Sequence, residues 1–177
     1  MTIEKSLQAF YKKNNFKPDG GENDAYFSLK FRYFSIKLPN LSFRKNVIYI
    51  HDIQHILFQK DTSWKGEAFI AGWEISTKIW KHLPIGIMSL WVMGFSVLNH
   101  PKDVLKGYKT GINSIGIINL NLQKKQLLNM PVDNLKSLIK KEETISFNWV
   151  LFVFWVLLSL IIFLSPLLLL AIFISVL

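Results

Sequence analysis

The chain has 177 residues, which at roughly 150 residues per domain leaves room for about one domain. Half of them are apolar, which excludes a disordered chain, and the absence of cysteine excludes disulfides, Cys-based zinc sites and thiol nucleophiles. Lys and Arg outnumber Asp and Glu by 21 to 12, a net charge of +9, and every one of these charges lies between Glu4 and Glu143.

The expected organisation is a basic, mostly helical domain over 1–143 and an uncharged hydrophobic segment over 144–177. The expected fold class is mainly α, with a short N-terminal strand or hairpin and a C-terminal membrane helix or helices. The polar start, Met1 to Lys5, has no apolar core of the signal-peptide type, so the C-terminal segment is the expected membrane element.

In chain order, Ile3, Leu7, Phe10 and Tyr11 recur at helical spacing and predict a short amphipathic helix over 3–13. Pro18, Gly20 and Gly21 make 14–24 a loop. Residues 25–38 alternate, with Phe27, Leu29, Phe31 and Tyr33 on one side and Ser28, Lys30 and Arg32 on the other. The phase flips at Phe34, Ile36 and Leu38, which a bulge or a short hairpin would explain. Residues 45–60 are apolar nearly all round and predict a buried helix. Asp61-Thr62-Ser63 is a turn and cap before a second helix over 64–80.

Leu83 to Asn99 is uncharged, long enough for a buried helix or a short membrane insertion. Residues 101–143 predict a helix, a turn at Gly111 to Gly116, an extended piece and a last helix after Pro131. The segment Phe147–Leu177 contains Pro166 and fits either one tilted, kinked span or two short re-entrant helices. Lys136, Lys140 and Lys141 precede it, which by the positive-inside rule keeps the N-terminal domain cytoplasmic and attracts an anionic membrane surface.

The residues that could carry chemistry cluster in the first buried helix. His51 and His55 are four positions apart and share a helix face; Asp52 and His55 are three apart and also neighbours. Glu67 follows twelve residues later at the start of the next helix. Two nitrogens with one or two carboxylates suit a divalent metal, zinc first, with iron or manganese next. Hydrogen-bonded core histidines, or a buried His–carboxylate ion pair, are the structural alternatives. The four histidines are too few for a membrane desaturase cluster. No Glu-x-x-His pair of the di-iron type and no phosphate-binding glycine loop is present.

His51-Asp52-x-x-His55, eleven residues, then Glu67 resembles the signature of the Coq4 family of ubiquinone-biosynthesis proteins. Gly66-Glu67 with Glu74 seven residues on, Leu83-Pro84, the stretch Asn119 to Leu122 and the helix after Pro131 are similar in layout, so the resemblance covers about residues 40–142. The strand-like region before the motif and the hydrophobic C-terminal segment are departures from the family pattern. The resemblance implies a mostly helical fold in which His51, Asp52, His55 and Glu67 ligate a metal, and Glu74 either orients an imidazole or serves as a structural cap or ion-pair residue. It implies an apolar channel for a long prenyl lipid. It also implies a role on membranes in ubiquinone synthesis, in organising the biosynthetic enzymes or in oxidative removal of the ring C1 carboxyl.

Three functions are therefore expected to compete. The first is a metal-dependent enzyme on a prenylated quinone precursor. The second is a non-catalytic, membrane-anchored lipid-binding scaffold with a structural metal and a pocket at Leu83–Leu98. The third is a metal-dependent lipid hydrolase. A homo-oligomer or a complex of biosynthetic enzymes is an expected partner. Nucleic acid is not, because the lysines are dispersed and no reader motif appears.

Overall fold

The computed structural model describes residues 1–31 and 33–176, with side chains except at 167–172 and 176. The elements in chain order are α1 (Ile3–Lys13), β1 (Tyr26–Lys30), β2 (Ser35–Pro39), α2 (Ser42–Lys45), α3 (Ile48–Leu57), α4 (Trp64–Ser76), a 3₁₀ turn (Ile79–Lys81), α5 (Ile85–Asn99), α6 (Pro101–Ile112), a second 3₁₀ turn (Ile117–Leu120), α7 (Lys124–Asn129), α8 (Val132–Leu138) and α9 (Trp149–Val176). The protein is mainly helical, with one antiparallel hairpin near the N-terminus and one apolar C-terminal helix. It divides into two compact units, 1–59 with 122–135, and 60–121 with 136–177.

In the first unit, α1 starts on Thr2, whose hydroxyl accepts from the Lys5 amide, and it buries Ile3, Leu7 and Tyr11. Its beginning is stitched to the return segment: Ile3 N–H donates to the Met130 carbonyl and Val132 N–H to that of Met1. The hairpin explains the phase slip at residue 34. The chain reverses between β1 and β2, where Phe31 N–H donates to the Phe34 carbonyl at 2.8 Å. Phe27 then stands opposite Leu38, and Leu29 opposite Ile36, so the two apolar sets share one face. Arg32, placed by the alternation on the other face, lies outside the described residues.

The expected helix over 45–60 is shorter, α3 being preceded by the separate turn of α2. The expected helix over 64–80 ends at Ser76. There the Thr77 hydroxyl donates back to the Glu74 carbonyl and Lys78 takes a left-handed conformation, φ +71°, before the 3₁₀ turn. Between Gly116 and Pro131 the expected extended piece is mostly helical, a 3₁₀ turn and α7, because Gln123 and Gln126 form a reciprocal capping box.

The core of the second unit is built from Ala68, Ala71 and Ile75 of α4, Leu90 and Met93 of α5, Val104 and Tyr108 of α6, and Phe152 of α9. Helices α4 and α6 approach closely enough that a Cβ on Gly107 would stand 1.9 Å from the Phe69 carbonyl oxygen. Helix α9 docks on α5, and a Cβ on Gly94 would lie 2.3 Å from the Ser159 carbonyl oxygen. It runs as one helix through Pro166. Proline has no N–H for the carbonyl four residues back, that of Ile162. The Ser165 hydroxyl donates to that carbonyl at 2.9 Å instead. Trp149–Pro166 is long and apolar enough to cross a membrane.

Candidate metal centre

Helix α3 presents its polar residues inside an otherwise apolar segment, with Ile48, Tyr49, Ile53 and Leu57 buried beside them. His55 is fully buried and His51 partly so. Their Nε2 atoms stand 3.2 Å apart, with ring centroids at 4.9 Å and planes tilted by 69°. The four-residue spacing thus converges both imidazoles on one point, as the helical period requires.

Helix α1 supplies the support. Phe10 stacks against the His55 ring at 5.9 Å, and the Tyr11 hydroxyl donates to Asp52 Oδ2 at 3.0 Å. Tyr11 is itself covered by the 14–24 loop. Gly20 has φ +65°, and a Cβ there would lie 2.6 Å from the tyrosine ring, so only glycine fits. Burial, and then the Asp52 charge, pushes the Tyr11 hydroxyl well above its ordinary pKa, so it is held as a donor. Gln54, 2 % exposed on the same helix, has an Oε1 that accepts no hydrogen bond among the described residues.

In the second unit, Glu67 stands half-buried in the first turn of α4, behind the Ser63 cap. A carboxylate there also complements the positive helix end. Glu74, two turns on, is buried and accepts from the Ser89 hydroxyl of α5 at 2.7 Å. The expected ligands His51, Asp52 and His55 therefore lie together in the first unit, and Glu67 and Glu74 lie in the second. His82 and His100 occupy helix ends, and His82 Nε2 is 2.7 Å from Asn119 Oδ1.

Sequence reasoning missed Phe10, Tyr11 and Gln54. The available signal was a hydroxyl within the apolar stripe of α1, since a buried tyrosine needs a hydrogen-bond partner. Comparison with protein-family models, with curated proteins and with solved structures finds no match for the chain.

Proposed function

We propose that this is a membrane-bound metal protein in which His51 and His55, together with Asp52, hold a divalent cation. Zinc is the first choice, and iron or manganese the next. We further propose, on the resemblance to the Coq4 family, that it binds or acts on a membrane-soluble lipid of the prenylated-quinone type.

The observation that carries the reading is the convergence of the two imidazoles. Two nitrogens about 2.05 Å from one ion at a tetrahedral angle stand about 3.3 Å apart, and the His51 and His55 Nε2 atoms are 3.2 Å apart. His51 and His55 each offer a ligand atom of the type such ions take. The Tyr11 hydroxyl on Asp52 is the kind of support that fixes a ligating carboxylate. A bound ion would position a ring carboxylate or polarise a carbonyl. The membrane part of the proposal is supported by the apolar helix α9. Lys136, Lys140 and Lys141 before it support a cytoplasmic N-terminal domain.

The test is elemental mass spectrometry on detergent-purified protein prepared without chelator, beside His55→Ala, with circular dichroism to check that the variant folds. About one equivalent of metal, lost in the folded variant, is expected. No metal in the parent, even after zinc, iron and manganese are added back, would refute the proposal. It would leave the imidazoles as a pair in which one ring N–H donates to the other ring.

A further inference from the structure

The β1–β2 hairpin exposes large aromatic side chains at and beside its turn. Tyr33 is 83 % exposed, Phe34 59 % and Tyr26 54 %, with Ile36 and Leu41 also in the open. Phe31 and Phe34 stack on each other at 4.7 Å, which stiffens the turn. The charge around them has one sign. From Ala25 to His51 the sequence carries Lys30, Arg32, Lys37, Arg44 and Lys45 and no acidic residue. Lys37 lies over the Tyr26 ring at 4.9 Å, so a cation and an aromatic face occur together on the exposed strand.

The neighbouring carboxylates are engaged elsewhere. Asp24 pairs with Lys17, and Glu22 with Lys124 at 2.5 Å. Tyr, Phe and Lys in one exposed patch is the composition that partitions to a lipid headgroup layer, where aromatic rings sit at the interface and cations meet anionic phosphates.

We propose that this hairpin is a second membrane contact, an aromatic and cationic finger that docks on the headgroup layer of an anionic bilayer. It rests on the reading of the chain as membrane-bound and adds a contact separate from α9.

The chain has no cysteine, so Ser35→Cys, at an exposed strand position, gives a single labelling site beside Tyr33 and Phe34. The full chain, labelled there with an environment-sensitive fluorophore, is reconstituted into vesicles of phosphatidylcholine alone or with phosphatidylserine. Flotation is scored on the same samples. The expected result is that the chain floats, and that with phosphatidylserine the emission shifts to the blue and headgroup-level nitroxide lipids quench it. Each cation near an anionic surface is worth about fivefold in partitioning, so Lys30→Gln with Lys37→Gln lowers the docked-to-undocked ratio by about 25-fold.

If the chain floats while the label stays as open to aqueous iodide as it is in detergent, the finger proposal is wrong and the membrane reading stands. If the chain does not float, both are wrong. A label protected equally in detergent would assign the hairpin to a protein contact and overturn the lipid assignment.

Discussion

Replacing Gly107 by alanine tests the packing that holds the second unit together. At an exposed helical position this change stabilises by about 1 kcal/mol, because alanine is the better helix former. Here the new methyl would stand 1.9 Å from the Phe69 carbonyl oxygen, where ordinary contact begins at 3.4 Å, so α4 and α6 must separate by about 1.5 Å. The obstacle is backbone, which no rotamer change removes. A radial gap of about 1 Å forfeits up to half the dispersion energy of each contact it opens, and Ala68, Ala71, Val104 and Tyr108 all lie in the core these helices share. Overpacking of this kind costs about 3 kcal/mol, offset by about 1 kcal/mol of propensity, so a net loss near 2 kcal/mol is expected. In a chain of this size that lowers the melting temperature by about 5 °C. Thermal unfolding in detergent, followed by far-ultraviolet circular dichroism, reads it directly, with Lys106→Ala on the exposed side of α6 as the control. An unchanged or raised melting temperature for Gly107→Ala would show that α4 and α6 are not packed backbone to backbone.

Four further outcomes follow from single contacts. Tyr11→Phe removes a buried hydrogen bond to a carboxylate and should cost about 2 kcal/mol in denaturant titration. The raised Tyr11 pKa gives stability that is present below about pH 10 and falls as pH rises further, because the unfolded phenol ionises first. Tyr11→Phe should therefore flatten that alkaline decline by up to about 1.4 kcal/mol per pH unit, leaving the parts due to Tyr49 and Tyr108, whose pKa values burial also raises. Asn40→Ala should cost about 2 kcal/mol and speed proteolysis within 17–24, since the Asn40 amide donates to the Gly21 and Asp24 carbonyls at 3.0 Å each. Ser96→Ala should be neutral or stabilise by about 1 kcal/mol, since its hydroxyl is fully buried and makes no hydrogen bond among the described residues.

What the sequence revealed depended on how local each signal was. The convergence of His51 and His55 follows from their spacing on one helix, and the hairpin from the alternation that reverses at residue 34. The Tyr11–Asp52 bond joins residues 41 positions apart, and no periodicity announces such a pairing. The early end of α4 turns on competition for one carbonyl by the Thr77 hydroxyl, below the resolution of an apolar pattern. Gly107 reads in sequence as a weak point in a helix. Its value as the place where another backbone comes close exists only once α4 and α6 are set side by side.

The docking of α9 on α5 makes the hydrophobic C-terminal segment part of the second unit's core. Phe152 and Ser159 are buried on that helix, Phe163 meets Trp91 at 5.2 Å, and Trp155 meets Trp80 at 5.4 Å. The helix is a wall of the second unit as well as its apolar outer surface. Cutting the chain after Glu143 would remove a packed wall of this unit. It would strip the cover from Leu90, Met93 and the Gly94 cleft and leave a sticky, open half-core. The helix long and apolar enough to cross a membrane and the helix that closes this core are then one element, and a protease cutting before α9 would open the unit.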